Sequence, residues 1–353
     1  METNCPDGYK FVFYGRKGRY DAGAGGWERT GADPPAFSAR VENRQLIASL
    51  SKLVTAAAVL NRLQAKGLTP QEPVHKFLPP NFSPCDEFKT LSFLDFLNMR
   101  TGYNEANQPG GGTLYPELKT IVAQKPNLAP KVTTQYLRFN YAIMRVVLPM
   151  LDLYDPKSKM IWMPAGSGSP EWYASRYVEL VNQHVLAPLG IPPAACQPAT
   201  LKAPGLPGMF GKKLPVLAYP YKVPGAKGTP SWDYTPHAGA GGWFLSADEV
   251  GKLLHSLYFE ELILNPAMKA HMFPVAPAGT YGAGVWCIKV GNRDCYTHGA
   301  VASFGQGIFG GFLYLIPKEE IAFVALCNAQ HKPDEPNWGD KWPQEFVADR
   351  GPG

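Results

Sequence analysis

The sequence predicts a mixed α/β (α+β) protein. Its antiparallel sheet is built from N- and C-terminal strands, flanked by helices, and a mainly helical lobe is inserted between them. Three observations carry this. Strand-like alternation stands at the front of the 353-residue chain, helical periodicity dominates the middle, and strand patterns return after residue 280. Two N-terminal strands make too small a sheet alone, so the economical solution joins them to the C-terminal strands. This divides the chain into residues 1–75 with 235–353, forming the sheet-bearing part, and residues 76–234, forming the inserted lobe. A cleft is expected between them.

Residues 9–14 alternate and are rich in aromatics, and Gly15-Arg16-Lys17-Gly18 reverses the chain into a second strand ending near residue 29. The run ASLSKLVTAAAVLNRLQAKG then reads as a strong helix. Its apolar residues Leu50, Leu53, Val54, Ala57, Leu60 and Leu63 make one face. The leading serines suit an N-cap and Gly67 suits a stop. Residues 90–97 form a short helix capped by Ser92, and 104–116 is a glycine-rich loop without the Gly-Lys-Ser/Thr of a phosphate loop. Helices are expected at 133–151 and 171–189, with long loops over 191–236. Ser246 and Glu249 have capping-box spacing ahead of a helix at 247–258. Strands follow at 282–290, 293–297, 307–316 and 321–326, and the tail from residue 330 reads as a loop with one short helix.

Composition narrows the function classes. The chain is 45% hydrophobic and 18% charged, an ordinary globular balance. No apolar run approaches the ~18 residues of a membrane span. A net charge of +5 without a basic block argues against nucleic acid. The start carries no signal-peptide pattern, which fits a cytoplasmic protein or a mature form written without its leader. The six cysteines include no C-x-x-C pair, and the seven histidines lack metal-ligand spacing, so no metal or cofactor is expected. Cys287 and Cys295 flank the turn Gly291-Asn292, and either a bridge across the hairpin or two reduced thiols fits that spacing.

The chemistry-bearing pattern is Ser49-Leu50-Ser51-Lys52. Residues three apart share a helix side, so a neutral lysine there can take the serine proton. The helix N-terminus favours developing negative charge, and the N–H of Ser49 is a candidate oxyanion donor. Short S-x-x-K pairs are common on solvated helix faces, so the surrounding motifs decide.

Those motifs resemble the serine β-lactamase and penicillin-binding-protein superfamily, nearest the class C β-lactamases and the related β-lactamase-like (family VIII) esterases. The Ser49 helix is followed by Leu68-Thr69-Pro70-Gln71-Glu72-Pro73-Val74-His75-Lys76-Phe77-Leu78-Pro79, similar to the family's L-x-x-x-D-P-V-x-x-(Y/F)-L-P. Residues 91–103 are similar to its T-I-R-H-L-L-T-H-T-S-G-L segment, and 241–250 to G-G-L-x-S-T-A-x-D-L. The resemblance implies a β-lactamase/transpeptidase-like fold and an acyl-enzyme mechanism.

Carried over residue by residue, the resemblance makes Ser49 the nucleophile and Lys52 its base. The family's Y-S-N-x-N-Y-x-L-L-G aligns without gaps on residues 136–145, which makes Tyr136 the proton relay and matches Asn140 and Tyr141. Arg138 then stands where asparagine is expected, either tuning Lys52 or Tyr136 or filling the pocket. A shifted alignment puts Asn140 in that asparagine place and Arg138 in the tyrosine place. In the third motif, His298-Gly299-Ala300 replaces Lys-Thr-Gly, and the N–H of Val301 is the second oxyanion donor. A histidine there suits an uncharged ester better than a substrate carboxylate. The expected function is therefore a carboxylesterase-like serine hydrolase acting on a small ester or amide. The alternatives are a binding protein that has lost turnover, suggested by Arg138 and Ala300, and a β-lactamase, D-alanyl peptidase or acyltransferase. Tyr103, Trp162, Trp232 and Trp243 are candidate cleft aromatics. The resemblance also implies a periplasmic or secreted setting.

Overall fold

The computed structural model describes residues 8–107, 111–128, 134–198, 200–202 and 213–329. Its centre is a six-stranded antiparallel sheet. The strands are β1 (Tyr9–Gly15), β2 (Gly18–Gly25), β3 (Trp286–Val290), β4 (Arg293–Phe304), β5 (Gly307–Ile316) and β6 (Ile321–Cys327). Their order across the sheet is β3-β4-β5-β6-β1-β2, so the N-terminal hairpin is joined to the C-terminal strands through β1 and β6. The register sets Tyr9 opposite Cys327 and Tyr14 opposite Ala322.

Period-two alternation sorts β1 into two faces. Val12 and Tyr14 enter the main core, while Phe13 joins Phe312, Tyr314, Ile321 and Phe323 on the opposite face. Helix α1 (Ser51–Ala65) lies in the main core and is buried along almost its whole length through Leu60. Around it pack α2 (Phe93–Leu97), α3 (Tyr115–Ala123), α4 (Phe139–Ala142), α5 (Met144–Leu153), α6 (Pro170–Val181), α7 (Ala247–Phe259) and α8 (Pro266–Met272). Helix α7 crosses β1 and β6. Among the described residues, no helix is long and apolar enough to cross a membrane.

Local chemistry explains several boundaries. Ser92 with Asp95 and Ser246 with Glu249 form the reciprocal capping boxes that begin α2 and α7. The expected serine N-cap of α1 is not formed. A 3-10 turn over Ala48–Leu50 feeds the helix directly, and the Oγ of Ser51 instead accepts the N–H of Trp243 at 3.1 Å. The helix expected from residue 133 begins only at Phe139. Residues 134–137 are non-helical, and the N–H of Gln135 donates to the carbonyl of Met99. Helices α3 and α8 have no counterpart among the elements expected from the sequence, apart from the overlap of α3 with the end of the 104–116 loop. Each carries proline in its first turn, a position helices tolerate and sequences also use to break structure.

Cys287 lies opposite Tyr296, and Cys295 opposite Ile288. The two sulfurs therefore point to opposite faces of the hairpin, and both are free. The polar tail from residue 330 lies outside the described residues.

A buried ion pair anchors the N-terminal end. Lys10 Nζ meets Glu28 Oε1 at 2.7 Å with both side chains 1% exposed, and it also donates to the carbonyl of Asn43 at 2.8 Å. Asn43 donates to the other Glu28 oxygen. Removing one partner strands a buried charge. Lys10→Met is expected to lower unfolding free energy by about 3–5 kcal/mol, and adding Glu28→Leu to recover a good part of that loss. Urea titration of both variants checks this, and a single-variant loss below about 1 kcal/mol would contradict it.

Candidate active site

Ser49 sits in the 3-10 turn ahead of α1, immediately after Ala48, whose φ of 42° places a non-glycine residue in the left-handed region. Such strain persists only where surrounding structure imposes it. Here the imposing contacts are the N–H of Ile47 to the carbonyl of Trp243 at 2.9 Å and the Ser51–Trp243 bond. The turn presents a half-buried Ser49 to Lys52, whose side chain is wholly buried. Lys52 Nζ lies 3.0 Å from Ser49 Oγ and donates to the carbonyl of Ala240 at 2.7 Å. The ring of Tyr136 covers its remaining side, 4.9 Å from Nζ to the ring centre.

Tyr136 and His298 also meet. His298 Nδ1 lies 2.8 Å from the carbonyl of Gly284, which can only accept, so Nδ1 carries the ring proton. Nε2 is left with a lone pair, and the Tyr136 hydroxyl donates to it at 3.1 Å. Burial, reinforced by the neighbouring Lys52, pulls the imidazole down to about 3, against which the Gly284 bond works only weakly. The ring is therefore neutral across physiological pH. Gly284 has φ of +91°, and a Cβ there would come within 2.9 Å of the Cα of Leu53. The chain can thus lie directly on α1, one residue past Lys52. Tyr281 and Trp286 complete the wall, with ring centres 6.1 and 6.3 Å from that of Tyr136.

The other expected residues divide. Gly299 and Val301 lie on the exposed face of β4, while His298 and Ala300 lie on its buried face. Beyond Thr297, β4 is no longer paired with β3, and this stretch packs against the 3-10 turn carrying Ser49. Arg138 lies against Gly111, where an added Cβ would fall 2.4 Å from Nη2. Its charge acts on Tyr234 and His237. Asn140 is not brought to the cluster: it is fully buried, accepts from Thr101 Oγ1 at 2.8 Å and donates to Met99 Sδ at 3.2 Å. Tyr103 and Trp243 are core residues, whereas Trp162 and Trp232 are 62% and 60% exposed. Trp232 stacks edge-on against Phe304 at 5.1 Å, at the far end of β4 from His298.

The reading from sequence missed the carbonyls of Ala240 and Gly284 and the side chains of Tyr281 and Trp286. Glycines at 239, 241, 242, 282 and 284 were the available signal, because backbone that contributes carbonyls must approach closely. No group of three or more His, Cys, Asp or Glu side chains suited to a metal occurs among the described residues.

Three comparisons with known proteins bear on this geometry. The family model described as Beta-lactamase matches residues 2–342. No curated protein matches significantly. Among solved structures, the D-stereospecific amidohydrolase from a Streptomyces species is similar at 17% identity and TM-score 0.63, over 99% of this chain and 95% of that one. The octameric penicillin-binding protein homologue from Pyrococcus abyssi gives 16% identity and TM-score 0.64, over 99% and 74%. The D-amino acid amidase from Ochrobactrum anthropi SV3, in complex with L-phenylalanine amide, gives 15% identity and TM-score 0.66, over 97% and 92%.

The buried, neutral His298 has a consequence for acid stability. Its folded pKa lies below its unfolded value of about 6.5, so the unfolded chain binds a proton that the folded chain refuses. The contribution of the neutral ring is complete above pH ~6.5 and is lost as pH falls towards about 3, at up to about 1.4 kcal/mol per pH unit. Urea midpoints at several pH values for wild type and His298→Gln are expected to converge as pH falls through this window. Parallel acid limbs would overturn the assignment.

Proposed function

Because the chain belongs to the Beta-lactamase family, we propose that it is a serine hydrolase working through an acyl-enzyme on small uncharged esters, with amides as the second substrate class. One observation carries the reading: the fully buried Lys52 amine lies 3.0 Å from the Ser49 hydroxyl, at the start of a helix.

With Lys52 as the free amine, Ser49 gives its proton to Nζ while Oγ forms a bond to the substrate carbonyl carbon. The carbonyl π pair moves onto oxygen, and the N–H groups of Ser49 and Val301 hold that oxyanion. The tetrahedral adduct collapses, the bond to the alkoxide breaks, and the leaving oxygen takes the hydroxyl proton of Tyr136. Tyr136 recovers a proton from the Lys52 ammonium, which lies against its ring. Water then repeats the sequence on the acyl-enzyme, releasing the acid and restoring Ser49. His298 holds the Tyr136 hydroxyl without adding positive charge to the site. That favours an uncharged substrate over one presenting a carboxylate to this wall. The amidase and penicillin-binding-protein names of the structural neighbours make amides the natural second class to assay.

Intact mass after a fluorophosphonate probe, with p-nitrophenyl acetate, p-nitrophenyl butyrate, a D-amino acid p-nitroanilide and nitrocefin assayed in parallel, tests the proposal. One adduct is expected on wild type and none on Ser49→Ala, with ester turnover exceeding anilide turnover. Lys52→Ala is expected to lose about 100- to 10,000-fold in turnover. An adduct without turnover would favour a binding protein over an enzyme, and nitrocefin hydrolysis would favour a β-lactamase. Folded wild type that takes no adduct would overturn the nucleophile assignment.

A further inference from the structure

Arg145 of α5 is 2% exposed and takes no direct part in the cluster described above. In the ungapped motif alignment it stands where the pattern ends in glycine, so the side chain there needs its own explanation. Among the described residues no carboxylate forms an ion pair with it, and its charge is met by backbone carbonyls. Nη1 donates to the carbonyl of Ala238 at 3.2 Å and Nη2 to that of Thr113 at 2.9 Å. Burial lowers the guanidinium to about 10, so it remains cationic at neutral pH. A buried charge without a carboxylate is an expensive way to fill space.

The two carbonyls belong to two segments far apart in the chain. Residues 238–240 form a strap in which each successive carbonyl is held by a buried side chain. Ala238 is held by Arg145, Gly239 by Thr55 Oγ1 at 2.7 Å, and Ala240 by Lys52 Nζ at 2.7 Å. Gly239, with φ of +102°, lies so close to α4 that a Cβ would fall 2.4 Å from the carbonyl of Tyr141. Thr113 closes the glycine loop on which Arg138 rests. Its N–H donates to Glu117 at 2.7 Å, and its hydroxyl lies 2.8 Å from His237 Nδ1. One guanidinium therefore ties the strap that supplies the acceptor for Lys52 to the loop that seats Arg138.

We propose that Arg145 is a positioning residue for the Ser49–Lys52 pair: it fixes the 238–240 strap, and the strap's Ala240 carbonyl aims the Lys52 amine at Ser49. The catalytic half of this inference rests on the serine-hydrolase reading. The mechanical half, a clamp joining two segments, does not.

Arg145→Met and Arg145→Lys test both halves, with thermal melts to establish folding. In the Met variant, kcat is expected to fall about 10- to 100-fold with KM within about three-fold, since a displacement of about 1 Å at a reacting pair costs about that much. The pH dependence of kcat/KM is expected to move with it, because the amine loses its fixed acceptor. The Lys variant keeps the charge but cannot span two carbonyls, and it is expected to restore only part of kcat. It also stands in if the Met variant does not fold. Hydrogen exchange by mass spectrometry is expected to rise in both 238–243 and 111–115, with 9–25 unchanged. A folded variant with wild-type kcat, pH profile and exchange would overturn the inference. If wild type proves inactive, the function proposed above fails, and exchange alone decides whether the clamp exists.

Discussion

A lysine amine buried to zero exposure, met by a hydroxyl, a carbonyl and an aromatic face, is the constraint around which the rest of this molecule is arranged. Such a group is tolerated in a protein interior only when its donors are satisfied. The hydroxyl requires the left-handed Ala48 and the 3-10 turn. The carbonyl requires a strap of small residues laid against α1 and α4. The aromatic face requires a non-helical residue 136, delayed helix initiation at Phe139 and a neutral histidine to accept the phenol's hydrogen bond. Each neighbour of Lys52 is thus fixed by a local departure from regular structure, and those departures are what the large apolar core stabilises.

The site is also biased in sign. Arg145 is a buried cation and Lys52 a buried amine, both hydrogen-bonded to oxygen dipoles with no carboxylate ion pair among the described residues, while His298 beside Lys52 is held neutral. Carbonyl dipoles satisfy these groups without the compensating negative charge an aspartate would bring. Positive potential therefore remains in place, where a reaction that develops negative charge on oxygen would use it without rearranging solvent.

What was legible in the sequence follows the range of the interactions. The capping boxes at Ser92 and Ser246 were readable because both partners lie three residues apart. Strand β5 was readable because it is an unbroken buried run bounded by turn residues. The joining of N- and C-terminal strands was readable from the arithmetic of edges alone. Ser49 and Lys52 were readable as a pair because helical spacing brings them together. The contact between Tyr136 and His298 joins distant segments and was reachable only through motif resemblance. Ser51 was misread as a cap because the N–H it accepts belongs to Trp243, far along the chain. Asn140 fitted a motif, yet its amide is committed to Met99 and Thr101. The carbonyls of Ala240 and Gly284 carry no side-chain signature, and a sequence announces them only through the glycines that let backbone come close.

The placement of β1 has a kinetic consequence. This strand lies inside the sheet, yet its partner β6 is synthesised only near the end of the described chain. Until β6 emerges, β1 and β2 can form only a hairpin open along the β1 edge as well as the β2 edge, bearing Phe11 and Phe13 on one face, and such two-stranded units are marginal in water. The hairpin must therefore wait until β6 has been made for its edge to be covered, so closure of β1 on β6 is an event of high contact order. Until then, the unpaired edge of β1 is a template on which another chain could pair.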